Sequence, residues 1–286
     1  VYPELLAQLI CPDHPQSRLE IEPGAQTEKD GAIRRGRLRC PVNEVGYEID
    51  QGIVDFIGPW DLPNSPAQLT NYLAPTAWAY ERTWRPRALT LLSGEPFGYD
   101  RELPLVSELM APERGGLYLD VACSNGLYAR ALSRALGAAS GHGHVAGIDH
   151  SLPMLRQAQV FAQRENLPIS YIRAKAQRLP FQDDSIAGVV MGGSLNEIGD
   201  VDACLREIRR VLACSGRCVI MNLIQAEHSS GRTLQKFLGL GGTAFWTLDE
   251  LNRRFQHNGL TLKAQWRYGV VVFTLLAPLS VPDPVR

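Results

Sequence analysis

Residues 117–126, LYLDVACSNG, constrain the fold more than any other stretch of the chain. An apolar run ends in Asp120, small residues follow, and Gly126 opens a segment with helical periodicity. Twenty-three residues beyond Gly126 a second apolar run, HVAGID, ends in Asp149. Strand, small-residue turn, helix, strand and terminal acid is the unit with which α/β proteins hold a nucleoside at the carboxyl ends of their strands. Glycines at 122 and 124 would strengthen the pattern; Ala122 and Ser124 stand there instead.

The chain beyond Gly115 repeats this alternation. Strands are predicted near 117–122, 144–149, 169–173, 186–192 and 216–224, with helices near 126–138, 151–165 and 200–212 between most of them. Such alternation implies a parallel sheet with helices on both faces. A helix near 247–257 meets Gly259, a suitable C-terminal stop. Two β-rich runs, 260–266 and 270–276, are parted by a short turn at Tyr268-Gly269, and so short a connection requires an antiparallel pair. The expected fold is α/β: a seven-stranded, mostly parallel, doubly wound (Rossmann-like) sheet with a C-terminal antiparallel hairpin, plus a small β-rich N-terminal ribbon. Composition divides the chain into residues 1–58, a ribbon-like domain; 59–112, an aromatic helical connector or lid; and 113–286, the nucleoside-binding domain.

With 286 residues, 45% hydrophobic and 21% charged, the chain can bury a full core. A formal net charge of −1 disfavours broad nucleic-acid binding. No apolar run reaches bilayer length, so no membrane span is predicted, and the first residues show no signal-peptide pattern. Six cysteines are scattered rather than arrayed as a disulfide framework, which points to a reducing compartment, read as cytoplasmic.

Four segments, LDVACSNG, GIDHSLPML, AKAQRLPF and EIRRVLACSGR, resemble the motifs LDxGCGxG, GxDxSxxML, xDAxxLPF and ExxRVLxPGG of the class I S-adenosylmethionine-dependent methyltransferases. Their shared order and spacing are more specific than any one motif. Residues 80–89, YERTWRPRAL, also resemble the YERxWR segment of an uncharacterised plant-chloroplast and cyanobacterial branch, which carries a ribbon-like N-terminus.

The resemblance implies S-adenosylmethionine as cofactor and S-adenosylhomocysteine as product. It implies that the backbone of Ala122, Cys123, Ser124 and Gly126 approaches the cofactor, with Gly192 at the end of the fourth strand. Asp149 would accept both ribose hydroxyls, since an ionised carboxylate is an acceptor only. Asp120 would orient the loop or a water near the cofactor's amino group, and His150 and Met154 would pack on the adenine–ribose edge. Tyr80 and Arg85 would meet the cofactor's carboxylate. Lys175 stands where the family has an Asp for the adenine amino group; a lysine only donates, so it turns outward and leaves backbone contacts from Ala176 and Gln177. Ala187 and Cys214 are further departures, so the loop predicts the cofactor better than the reaction.

Cys11-Pro-Asp-His14 and Cys40-Pro-Val-Asn43 are spaced like the knuckles of a zinc ribbon. Structural zinc takes four Cys or His ligands, and Asn43 is a poor fourth beside Cys11, His14 and Cys40. Either another group or water completes the site, or the metal has been lost and the ribbon stands on its own core.

The elements that would cover the strand ends, 60–105 and 225–246, are aromatic and apolar; Trp78, Tyr80, Trp84, Phe97, Phe237, Phe245 and Trp246 could wall a pocket. The expected partner is therefore a small aromatic or lipophilic molecule, methylated at O or C. Candidates for the chemistry are Asn196 as a positioning group, and Glu197, His150 and His228 as bases. Two other functions remain open: guanine N-methylation of ribosomal RNA, suggested by the ribbon, and a non-methylating member of the fold that binds the cofactor.

Overall fold

The fold was obtained as a computed structural model, which describes residues 1–58, 90, 94, 96–139 and 142–279. A short helix α1 (Pro3–Leu6) precedes β1 (Ile10–Cys11), β2 (His14–Arg18), β3 (Glu20–Ile21), β4 (Gln26–Thr27), β5 (Ile33–Arg39), β6 (Gly46–Asp50) and β7 (Ile53–Asp55). Next come α2 (Tyr99–Met110), β8 (Gly116–Val121), α3 (Leu127–Ala138), β9 (Gly143–Asp149), α4 (Leu152–Arg164), β10 (Ile169–Arg173) and β11 (Ile186–Gly192). The chain continues through α5 (Val201–Val211), β12 (Leu212–Leu223), α6 (Ser229–Leu240), α7 (Leu248–His257), β13 (Leu260–Tyr268) and β14 (Val271–Pro278).

β10, β9, β8, β11 and β12 pair in that order, all parallel. β14 runs antiparallel to β12, and β13 antiparallel to β14, which completes the seven expected strands. The strand order reverses at β8, with β9 on one side and β11 on the other. Open α/β sheets bind ligands in the crevice at the carboxyl ends of strands where the order reverses.

Both faces of the sheet are packed. One core holds Val201, Cys204, Leu205, Ile208 and Val211 of α5 against Val189, Met191 and Ile220. The other holds Leu127, Leu132, Leu155 and Ala158 of α3 and α4 against Val145, Tyr171 and Val190. α5 buries positions spaced three and four apart, so one stripe faces the sheet, and Asp200 caps it by accepting from Ala203 N at 3.0 Å. α7 carries a capping box in which Thr247 and Glu250 satisfy each other's backbone N–H groups.

Two departures from expectation matter. β12 starts at Leu212 rather than near 216, because Leu212 pairs with Ile186 before the register shifts to put Arg217 opposite Gly188. The ribbon also extends the main sheet rather than standing beside it. β7 pairs parallel with β10, with Ile53 opposite Tyr171, β6, β5 and β3 follow antiparallel, and β4 also pairs antiparallel with β5, giving a twelve-stranded sheet. Without β7 the apolar β10 would be an open edge, a standing template for unwanted pairing; Ile53 and Val54 cover it and are themselves buried. Among the described residues no helix is long and apolar enough to cross a membrane.

Candidate functional site

The loop after β8 keeps a glycine-like backbone without the glycines. Ala122 and Ser124 sit at φ 54° and 50°, and Gly126 at 76°, so all three are left-handed. For a residue with a Cβ this costs about 1 kcal/mol. Four contacts offset the strain. Cys123 N donates to Ile148 O at 2.9 Å and Gly126 N to Cys123 O at 2.8 Å. Ser194 Oγ donates to Ala122 O at 3.2 Å, and Ser124 N to Asp149 Oδ2 at 2.8 Å. Gly126 itself is required, since a Cβ there would lie 3.0 Å from Tyr171 Oη and 3.1 Å from Ala158 Cβ. Asp120, buried at the end of β8, accepts from Ala129 N at 2.8 Å and so satisfies one of the open donors of α3. Burial pushes the Cys123 thiol well above its ordinary range, so it is a packing group rather than a nucleophile.

Asp149 lies 6% exposed at the end of β9, and both of its oxygens are in use. Oδ2 takes Ser124 N, while Oδ1 takes Ser151 N at 2.8 Å and faces His150 Nδ1 at 3.5 Å. A carboxylate has about four lone-pair sites, so two remain, enough for a vicinal diol. Met154 is buried beside it and accepts from Ser124 Oγ at 3.5 Å, while Ser151 caps α4 through Met154 N at 3.4 Å.

Past β10, Lys175 is exposed, Ala176 buried, and Gln177 donates through Nε2 to Ile198 O at 2.7 Å. Arg173 is the residue that sequence reasoning missed. It is 6% exposed, donates through Nε to His150 O at 3.0 Å, and through Nη1 to Asp55 Oδ2 at 2.9 Å and Gly58 O at 2.7 Å. One guanidinium thus ties the ribbon to the segment that carries Asp149. Nothing local announces it, because its ribbon partners, Asp55 and Gly58, lie more than 100 positions away in sequence.

On the other side, Gly192 at the end of β11 lies against the Tyr128 ring, and a Cβ there would meet it at 2.9 Å. The Tyr128 hydroxyl donates to Glu102 of α2, a fully buried carboxylate and another residue missed from sequence. Asn196, 2% exposed, directs its side chain to the protein around it. Its Nδ2 donates to Leu223 O at 2.8 Å and Ala244 O at 2.6 Å, and its Oδ1 accepts from Leu223 N at 3.0 Å and Asn222 Nδ2 at 3.5 Å. With every donor and acceptor taken, it braces the loop after β11 against β12 and the segment before α7.

Glu197, its neighbour, is partly buried and makes no hydrogen bond or ion pair among the described residues; burial raises its carboxyl above the usual range. His228 stands exposed at the N-terminus of α6 and gives that helix no side-chain cap. Phe237 is 68% exposed, which does not fit a place among buried pocket-lining aromatics. Tyr80 and Arg85, with Trp78 and Trp84, lie outside the described residues.

The ribbon brings Cys11 and Cys40 together but does not gather a metal-ligand set. Burial pushes the Cys40 thiol up, yet the backbone N–H groups of Asn43 and Val42 and the side chains of Cys11 and Ser17 hold it below its ordinary value. Cys11 Sγ lies 3.5 Å from Tyr47 Oη. Among the described residues no three His, Cys, Asp or Glu side chains are grouped closely enough to hold a metal, so His14 does not join the two thiols. The knuckle's N–H···S geometry survives, but the residues present do not fit structural zinc.

Residues 119–220 match the family described as a methyltransferase domain. An uncharacterized chloroplastic methyltransferase of Arabidopsis thaliana is 31% identical over 216 residues, 72% of this chain and 59% of that protein. A 2-phytyl-1,4-naphtoquinone methyltransferase of Trichormus variabilis is 31% identical over 125 residues, 43% of this chain and 53% of that protein. The chain thus spans only a little over half the length of these relatives. A crystal structure of a SAM-dependent methyltransferase from Aquifex aeolicus superimposes with a TM-score of 0.55 at 17% identity, covering 73% of this chain and all of that one. The [4+2]-cyclase SpnF superimposes with a TM-score of 0.58 at 17% identity, covering 76% and 97%. Residues 119–220 therefore form a methyltransferase domain, carried on the fold of the S-adenosylmethionine-dependent methyltransferases.

Proposed function

We propose that this protein transfers a methyl group from S-adenosylmethionine to an oxygen or carbon of a small aromatic or lipophilic molecule. The observation that carries the reading is the loop after β8, which keeps left-handed backbone at Ala122, Ser124 and Gly126 and is latched to Asp149. In this reading that curvature lets the loop backbone approach the cofactor, with the remaining lone pairs of Asp149 left for it. In this reading Asp149 accepts the ribose hydroxyls, Met154 and His150 flank the adenine, and Ala176 and Gln177 meet its edge. Gly192, close-packed on Tyr128, leaves room for the amino-acid end of the cofactor.

The bound cofactor supplies an electrophilic methyl group on a sulfonium. The protein's own contribution is alignment, which supplies much of the rate of such a displacement. Glu197, partly buried and unpartnered, takes the proton where the acceptor is a hydroxyl or a carbon acid. The quinone methyltransferase among the relatives supports a lipophilic acceptor. Residues 113–286 would form the catalytic unit, with 1–58 as an appended sheet edge. Six free cysteines suit a reducing compartment.

The test is label transfer from S-adenosylmethionine to a panel of demethylated quinols and phenols, read by mass spectrometry. A methylated product supports the reading. Cofactor binding without product on any acceptor favours a non-methylating member of the fold, the class of activity that the name of the cyclase SpnF describes.

A further inference from the structure

We propose that α6 is an interfacial helix that docks this protein on an anionic lipid surface beside the mouth of the site. The inference deepens the lipophilic-substrate reading and rests on it for its purpose, though its geometry stands apart. α6 begins six residues after β12 ends, on the side where the carboxyl ends of the parallel strands lie. One face is tied to the body: Gln235, 8% exposed, accepts from Ala226 N at 2.8 Å and donates to Ile224 O at 2.9 Å. Gly231 is pressed on Ala226, where a Cβ would meet its Cβ at 2.7 Å.

At about 100° per residue, Phe237 and Leu240 fall opposite Gln235. They are 68% and 82% exposed, and Leu238, about 100° round the helix from Phe237, is 45% exposed. A soluble protein has no internal reason to hold three large apolar side chains in water on one helical turn. The charges name the occupant. Arg232 and Lys236, four residues apart and so aligned, border this face on the Leu240 side; both are exposed, and neither pairs with an acid among the described residues. The helix has no acid of its own, and Glu227, just before it, is neutralised by Arg267 at 2.5 Å. An apolar ridge edged by unpaired cations complements a bilayer with anionic headgroups, where the ridge enters the acyl boundary and the cations meet phosphate. A lipophilic acceptor dissolved in that bilayer would reach the strand ends without crossing water.

The test is sedimentation of the whole chain with vesicles of phosphatidylcholine alone or mixed with phosphatidylglycerol. Two double variants, F237S/L240S and R232E/K236E, change only exposed side chains. Calorimetry with S-adenosylhomocysteine runs in parallel on all three proteins. Expected is partitioning of the wild type into anionic but not neutral vesicles, weakened at least tenfold in both variants and by high salt, with cofactor binding unchanged. Wild type that ignores anionic vesicles yet binds S-adenosylhomocysteine overturns the docking proposal and leaves the functional reading standing. Failure of both measurements removes both. Concentration-dependent dimerisation that F237S/L240S abolishes, with no vesicle binding, makes the ridge a contact between two copies and also overturns the proposal.

Discussion

Asp149 Oδ2 accepts the backbone N–H of Ser124 at 2.8 Å, so the acid that ends the second strand of the parallel unit also holds the loop that follows the first. Ser124 repays the contact through its hydroxyl, which reaches Met154 of α4 at 3.5 Å. Loop curvature and the proposed cofactor recognition therefore share one side chain, and the loop keeps its shape under strain that its sequence does not minimise.

That strain is measurable. Ala122 and Ser124 at φ 54° and 50° pay a left-handed cost that glycine does not. Ala122→Gly is expected to raise stability by about 0.5 kcal/mol, the strain relief less the greater unfolded-state entropy of glycine. Chemical denaturation checks it; a drop in stability would mean that the Ala122 methyl packs usefully.

Arg173 couples the ribbon to the site. Arg173→Leu leaves Asp55 and two backbone carbonyls without their donor, an expected loss of about 2–4 kcal/mol. Hydrogen exchange is expected to rise in β7 and around His150 together. Rise in β7 alone would show that the ribbon and the cofactor segment are independent.

Much of the sheet was legible in the sequence. β10 and β11 fall at 169–173 and 186–192 as expected, because strands buried on both faces read as continuous apolar runs. The joining of the ribbon to β10 was not legible, since it depends on register between Ile53 and Tyr171, far apart in the chain. The site divides in the same way. Asp149 and its loop announce themselves through motif spacing, whereas the bracing role of Asn196 comes from backbone groups at Leu223 and Ala244 that carry no side-chain signature. The substitutions at 122 and 124 suggest a damaged loop, yet its curvature is kept by contacts from Ser194 and Asp149.

Burial pushes the His144 imidazole from 6.5 down to about 4, and its Nε2 lies 2.8 Å from Ser170 Oγ. The folded state holds it neutral while the unfolded chain binds a proton, so its contribution is complete above pH 6.5 and is lost as pH falls toward 4. Stability at about pH 5 is expected to be about 2 kcal/mol below that at about pH 7.5 from this group. His144→Gln, which can still hydrogen-bond Ser170, should flatten that slope; an unchanged slope would assign it elsewhere.

Glu197→Gln tests the proposed base. Turnover on a hydroxyl or carbon-acid acceptor is expected to fall about a hundredfold. S-adenosylhomocysteine affinity should stay as in the wild type. Unaltered turnover would remove Glu197 from the chemistry.

Calorimetry with S-adenosylmethionine and S-adenosylhomocysteine, on the wild type and on Asp149→Ala, tests the central claim most directly. Because Asp149 also holds Ser124 and Ser151, a thermal melt of each protein separates lost fold from lost ligand contact. Saturable one-to-one binding by the wild type is predicted, weakened at least tenfold in a variant that still unfolds cooperatively. No heat from the wild type, or equal affinity in a folded Asp149→Ala, would contradict the account.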